Sequence, residues 1–489
     1  MTINLVDVTM RDGNQSLWGA TGLNTAHMLQ AAALTERAGF RAVDFTSSSH
    51  MAVAVRYFQN NPWERIRRMR AAMPTTPLQF ITTGLRFIAW QQADPEFMRI
   101  VYRRLQANGI RRFVMLDPMH EVPAVIEAAR IIKQEGEAEV MAALTFTRSD
   151  VHDDAFYAGF AKALMASPDI DLFYLKDPGG LMSVDRVRTL APAVKAVIGN
   201  RPLEIHAHQT VGLGALSSLA AAKMGISAIH VGVGPGGDGS SLPEAEMMVA
   251  NLIEAGHDVA VDRAVLRQLS DYWNRVARAE GLPCGTPQAF DASFLRHQIA
   301  GGVMTTTKRQ LEELGMGDRL GAVIAETEQV RAELGSPIMV TPFPQMVMSQ
   351  ALFNVIGDRR YAQVSDQVIR YVLGKFGKPT NPVAPAVLAA ILDRPHAKVL
   401  MAEGDFPTLV DLRKTFGATM PDEEFLLRAV MPGDQVDAML STGRSRATYT
   451  PEAAPMLKLL KQLASRPAAR NIVVERPGLR IALHGGAGL

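Results

Sequence analysis

One cysteine, Cys284, stands among 489 residues. A single thiol excludes an internal disulfide and a cysteine-rich metal site, and it fits a reducing compartment, so the cytoplasm is the expected location. The start of the sequence, Met1-Thr2-Ile3-Asn4-Leu5, has neither the basic start nor the apolar stretch expected of a signal peptide. No apolar run reaches bilayer length, because even the greasiest region, Gly212 to Val233, is interrupted by Lys223 and His230. Charge of one sign is scarce, with a net of +2, and this argues against nucleic acid as a partner, since phosphate affinity needs a concentrated basic surface. The arginine clusters at Arg65, Arg67, Arg68 and Arg70, and at Arg103, Arg104, Arg111 and Arg112, read as solvated helix faces.

What is present is an ordinary globular composition, 47% hydrophobic and 20% charged, on a chain long enough for one large domain and a smaller one. Eight strand-like runs alternate with helix-like segments: Ile3 to Val8, Ala42 to Phe45, Leu78 to Thr82, Phe113 to Leu116, Val140 to Leu144, Leu172 to Leu175, Leu203 to Ala207, and Ala228 to Val231. Strands separated by helices imply parallel pairing, and eight such units predict an α/β fold, a (β/α)8 TIM barrel over residues 1–290. An open doubly wound sheet is the alternative; it does not bring the ends of strands one, six and seven to one mouth. Past residue 290 the rhythm turns helical, which predicts a mostly helical C-terminal domain over 291–489. Its end, Asn471 to Leu489, is expected to fray or to pack as an edge strand.

Three stretches put chemistry-bearing side chains at the ends of these runs: Thr9-Met10-Arg11-Asp12-Gly13-Asn14-Gln15-Ser16, Leu175-Lys176-Asp177 and His206-Ala207-His208. A strand turns residues i and i+2 to one side, so His206 and His208 can face one ion, with Asp12 as an oxygen ligand. Taken alone, Asp12 also reads as a turn or N-cap aspartate. Lys176 cannot bind a cation while protonated. A nearby metal lowers its pKa, and the freed amine reacts with CO2 to give a carbamate whose oxygens are good ligands. The plainer reading of Lys176 is a salt bridge to Asp177. Mixed nitrogen and oxygen ligands suit zinc or manganese, with cobalt as a further candidate. Arg11 and Arg86 follow strands one and three, and two guanidinium groups at one mouth suit an acidic or enolate-like ligand. The run Gly232 to Gly239 follows strand eight, where barrels often hold phosphate. Its spacing does not match a dinucleotide fingerprint, so a flexible loop is expected.

The chain resembles the carboxyltransferase unit of biotin-dependent enzymes, the group that includes the pyruvate carboxylase carboxyltransferase domain, the transcarboxylase 5S subunit and the oxaloacetate decarboxylase α subunit. The motifs that carry the likeness run nearly end to end: Arg11 to Ser16, Asn61-Pro62-Trp63-Glu64-Arg65, Lys176 to Gly180, His206-Ala207-His208, His297 to Gly302, Val340-Thr341-Pro342 and Gly374-Lys375-Phe376-Gly377. The resemblance implies a metal bound by Asp12, carbamylated Lys176, His206 and His208, and ligand contacts from Arg11, Gln15 and Arg86. It implies that Thr341 shuttles a proton between the acceptor carbon and biotin, and that the helical domain forms part of the funnel for the biotin arm. Arg11 would steady the enolate that attacks CO2.

Four departures fall near the substrate. Asn14 stands where the family has His, Gln209 where it has Asp, Asp44 to His50 replaces a Trp-Gly-Gly-Ala run, and Phe87-Ile88-Ala89-Trp90 replaces a small, polar segment. The resemblance therefore does not carry pyruvate over as the acceptor. Gln345, four residues after Thr341, matches the transcarboxylase and decarboxylase branch, where pyruvate carboxylases have Lys. No Ala-Met-Lys-Met site occurs, and Ala221-Ala222-Lys223-Met224 lies inside a barrel helix. Carboxybiotin is thus expected on a separate carrier protein, charged by a separate biotin carboxylase, with the chain itself a homodimer. The alternative function is a biotin-independent lyase or condensing enzyme, since related metal-dependent barrels share Thr9 to Asp12 and His206-Ala207-His208 but lack both Lys176 and Thr341. A regulatory relative without activity is the third reading.

Overall fold

The computed structural model describes residues 2–299, 301–464, 471–476 and 479–484. Eight strands run Thr2–Asp7 (β1), Ala42–Ser47 (β2), Leu78–Thr82 (β3), Ile110–Met115 (β4), Glu139–Thr145 (β5), Leu172–Asp177 (β6), Leu203–Ala207 (β7) and Ala228–Val231 (β8). All pair in parallel with their neighbours, and β1 pairs with both β2 and β8, which closes the sheet into a barrel. The open-sheet alternative is excluded. Every residue of β2, β3, β6, β7 and β8 is buried, as expected for strands covered by helices outside and by packed side chains inside.

Local signals fix the outer helices. Asn24 caps Thr25–Ala38 by accepting from Ala26 N (2.9 Å) and His27 N (3.1 Å), and that helix ends at Gly39, whose φ of 81° is left-handed. Asn61 caps Pro62–Ala72 in the same way, with Pro62 in the first turn where a missing N–H does no harm. One expectation for the surface fails. Arg65 and Arg112 are buried, Arg65 donating to Thr25 Oγ1 at 2.8 Å and Arg112 pointing into the barrel from β4.

The helical half packs in two places. From Ile299 to Leu400 the chain gathers around a second apolar core, including Phe343, Met346, Val347 and Tyr371, which Met119 of the barrel joins. The helices Leu409–Phe416, Asp422–Val430 and Gly433–Thr442 pack instead on the barrel, where Phe425, Leu426 and Val436 join the main core and Glu423 O accepts from Trp63 Nε1 at 3.1 Å. Over its described residues the end of the chain forms edge strands, in a sheet apart from the barrel: Asn471–Arg476 pairs antiparallel with Leu479–His484 as a hairpin. Residues 465–470, 477–478 and 485–489 lie outside the described residues. Among the described residues no helix is long and apolar enough to cross a membrane.

Candidate active site

Directly after β1 the chain winds through Thr9–Gly13 as a π-helical turn, with Gly13 N donating to Val8 O at 3.0 Å. Such turns are uncommon and gather at functional sites, and this one sets Arg11 and Asp12 side by side at the barrel mouth. The register of β6 and β7 then pairs Lys176 with His206, and His208 continues past the end of β7 on the same side.

The four groups meet. His206 Nε2 lies 3.1 Å from Asp12 Oδ2 and 3.2 Å from His208 Nε2, and His208 Nε2 lies 3.4 Å from Asp12 Oδ1. Lys176 Nζ is 2.8 Å from His206 Nε2 and 3.3 Å from Asp12 Oδ2. Asp12, His206 and His208 thus converge their ligand atoms tightly enough for one ion, all three buried. Asp12 is a turn residue but not an N-cap, and the plainer reading of Lys176 fails. Lys176 turns to Asp12 while Asp177 Oδ2 accepts from Met182 N at 2.7 Å. Burial pulls the Lys176 amine down to about 8 against the opposing pull of Asp12, which favours the neutral amine. Burial raises Asp12, but Arg11, Lys176 and His208 outweigh it and hold the carboxyl well below its usual range.

His208 donates from Nδ1 to Ser240 O at 2.8 Å, which leaves Nε2 free to bind. Ser240 belongs to the turn that follows the glycine run, and that run is not a flexible loop. Gly232 and Gly236 sit so close that a Cβ on Gly232 would stand 2.3 Å from Gly236 O, and one on Gly236 would stand 2.7 Å from Thr9 Cγ2. The glycines are there for close packing against the β1 turn, and they fix the carbonyl that orients His208.

A cavity of about 420 Å³ opens above these groups. Arg11, Asp12, Gln15, Lys176 and His208 line it from the barrel, and Thr341 and Gln345 from the helical half. Arg11 is held by Asp44, whose Oδ2 accepts from both Nε (2.8 Å) and Nη2, and by Asp12 Oδ2 at 2.8 Å. Sequence reasoning missed Asp44 as a partner, although an acid within an otherwise buried strand was the available signal. Arg86 is not in the lining. It is buried, donating to Trp90 O (3.0 Å), Thr83 O (3.3 Å) and Phe376 O (2.8 Å), so it fastens the loop after β3 to the helical half instead of reaching a ligand. The four departures also divide. Asn14 accepts from Gly22 N and Leu23 N, and Gln209 Oε1 accepts from Ala215 N, both as loop fasteners, whereas Ser47 to Ser49 and Ile88 to Trp90 line the cavity.

Two family models match the chain: one described as a conserved carboxylase domain over residues 294–462, and one described as HMGL-like over 111–272. A pyruvate carboxylase subunit of Methanocaldococcus jannaschii is 29% identical over 94% of this chain and 81% of its own length. The 2-oxoglutarate carboxylase large subunit of Hydrogenobacter thermophilus is 28% identical over 93% of this chain and 73% of its own length. The methylmalonyl-CoA carboxyltransferase 5S subunit of Propionibacterium freudenreichii is 25% identical over 79% and 76%. Among solved structures, the carboxyl transferase domain of Rhizobium etli pyruvate carboxylase superposes with a TM-score of 0.82 at 22% identity, over 93% of this chain and 80% of that one, and shares the fold. The match over 294–462, a conserved carboxylase domain that includes Thr341, supports carboxyl transfer over the lyase alternative. The chain is an enzyme of carboxyl transfer, similar along nearly its whole length to the carboxyltransferase units of biotin-dependent enzymes.

Proposed function

We propose that the chain moves a carboxyl group between carboxybiotin and the methyl or methylene carbon next to the carbonyl of a small 2-oxo acid or related carbonyl compound, through an enolate formed at the barrel mouth. The observation that carries this reading is that Thr341 opens onto the same cavity as Arg11, Gln15, Lys176 and His208. A divalent ion, zinc or manganese with cobalt as a further candidate, would be held by Asp12, His206, His208 and carbamylated Lys176, and one carboxylate with two imidazoles at 3.1–3.4 Å is a donor set that fits it. When bound, it supplies Lewis-acid stabilisation of developing oxyanion charge.

The chain's own residues do the remaining work. As carboxybiotin gives up CO2, the Thr341 hydroxyl passes its proton to the ureido nitrogen and takes one from the acceptor carbon; one C–H bond breaks and one N–H bond forms. The enolate then attacks CO2. Arg11 opposes its negative charge, with a guanidinium already oriented by Asp44, and Gln15 offers an amide to the acceptor's oxygens.

Pyruvate, 2-oxoglutarate and methylmalonyl-CoA appear in the names of the relatives. Because Ser47 to Ser49 and Ile88 to Trp90 change the cavity wall, the reading is kept to the class of carbonyl acceptor and not to pyruvate. The M. jannaschii relative is named as one part of a larger carboxylase, which supports a biotinyl carrier and a biotin carboxylase as separate chains. A homodimer in the cytoplasm completes the proposal. The test follows carboxyl transfer between carboxybiotin and a panel of 2-oxo acids. Thr341→Ala is expected to lose on the order of a hundredfold in rate, and Thr341→Ser to keep most of it. Full activity of Thr341→Ala on an acceptor that the parent carboxylates would reject the proton relay.

A further inference from the structure

Beneath the candidate ligands, the barrel interior holds a row of polar side chains that the roles above do not use. His206 Nδ1 lies 3.1 Å from His230 Nδ1, His230 Nε2 lies 3.0 Å from Glu204 Oε2, and Glu204 Oε1 forms an ion pair with Arg112 Nη2 at 2.6 Å. None of the four is more than 2% exposed. Register builds the row. Glu204 and His206 are i and i+2 on β7 and so point to the same side, and the pairing of Ile205 with Ile229 sets His230 of β8 beside His206. Tyr174 of β6 stacks on the His230 ring, with centroids 5.5 Å apart and planes 19° apart, and holds that ring in position.

The direction of the hydrogen bonds follows from donor counts. A carboxylate only accepts, so His230 donates from Nε2 to Glu204. A neutral imidazole has one N–H, so His230 Nδ1 is left with a lone pair. The 3.1 Å contact is then a hydrogen bond when His206 donates from Nδ1, in competition with the Asp12 carboxylate 3.1 Å from Nε2 and in keeping with the Lys176 amine, which can donate to Nε2 at 2.8 Å. Its own lone pair therefore falls on Nε2, the atom that faces Asp12 and His208. In water an imidazole side chain prefers its proton on Nε2, so the row imposes the opposite tautomer. Ser240 O does for His208 what three side chains do for His206.

We infer that His230, Glu204 and Arg112 form a positioning chain that locks His206 as an Nε2 donor and thereby sets how tightly the site holds a metal ion. The affinity part rests on the metal reading of the site, whereas the tautomer part does not.

The discriminating variant is Glu204→Gln. Arg112 has donors only, so it would claim the new amide oxygen and turn the NH2 toward His230 Nε2, which would then have to accept. His230 would donate from Nδ1, and His206 would carry its proton on Nε2, the tautomer that cannot bind there. The full chain labelled with 15N-histidine and freed of metal reads this out directly. The expected wild-type spectrum has the His206 proton on Nδ1, and Glu204→Gln moves it to Nε2. Zinc affinity, measured by competition with a chelator, is expected to fall about 10–100-fold in Glu204→Gln, with the circular dichroism unchanged. Arg112→Leu in the Glu204→Gln background frees the amide to rotate and is expected to recover the wild-type tautomer. A metal-free wild type with the His206 proton on Nε2 overturns the inference without any variant. So does a Glu204→Gln protein with wild-type tautomer and wild-type zinc affinity. A wild type with the expected tautomer and no zinc binding overturns the metal reading and leaves the positioning chain standing.

Discussion

The floor and the roof of the cavity are built on different principles. On the floor, Asp12, Lys176, His206 and His208 are buried and each touches another of the four, with Asp44 behind Arg11 and Ser240 behind His208. The roof comes from the helical half and offers Thr341 and Gln345, both exposed, and the Thr341 hydroxyl has no hydrogen-bond partner among the described residues. A fixed, charged floor stabilises developing charge without reorganising, while an unengaged hydroxyl is free to exchange a proton with what docks against it. Changes to the floor should therefore register at equilibrium as well as in rate, and changes to the roof in rate alone.

Arg11 gives the largest expected effect. Its fork reaches Asp44 and Asp12 together, which the single ammonium of a lysine cannot reproduce. For Arg11→Lys we expect kcat/KM for carboxyl transfer to fall by about 10²–10³-fold, in line with the loss of one preorganised donor. A loss of only a few-fold would mean that the floor's geometry is not what carries the rate.

Arg86 separates floor and roof from the other side, because it ties the loop after β3 to Phe376 of the helical half without lining the cavity. Arg86→Ala leaves three carbonyls without their charged donor and is expected to lower stability by about 2 kcal/mol in denaturant titration, with the acceptor KM within a few-fold of wild type. A hundredfold rise in KM with stability intact would return Arg86 to the ligand, where the sequence pattern had put it.

That pattern carried the architecture and most of the floor. The eight strands were legible because helices interrupt them at barrel spacing, and Asp12, Lys176, His206 and His208 because each sits at a strand end, where a barrel gathers functional groups. Arg86 sits at a strand end too. Position alone could not tell that Thr83, Trp90 and Phe376 would absorb its donors, since Phe376 lies nearly three hundred residues away. Arg112, Glu204 and His230 were hidden for a related reason. Each looks like a stray polar residue on its own strand, and only the register of β4, β7 and β8 around a closed barrel brings them into one row. The glycine run misled because loose and tightly packed glycines look alike until the neighbouring Thr9 is in place.

Asp7 should give the smallest effect and tests whether every floor charge serves the site. Its Oδ1 accepts from Thr9 N (2.8 Å) and Thr9 Oγ1 (2.6 Å), while Oδ2 is buried with no hydrogen-bond partner. Burial pushes its pKa up from 3.8 to about 6, against the pull of Thr9. The folded state thus holds a proton that the unfolded chain has already lost between those two values, so this group's contribution to stability is present below pH 3.8 and is lost as pH rises through about 6. Asn at this position keeps an acceptor for Thr9 and never ionises. Asp7→Asn is therefore expected to match wild type near pH 4 and to exceed it by about 1 kcal/mol at pH 7–8, after allowing for the weaker bonds that a neutral acceptor makes with Thr9. Urea titrations at the two pH values measure the difference. Equal stability at both would mean that Asp7 stays ionised at no cost, and that the desolvation which tunes Lys176 above it does not extend to the base of the turn.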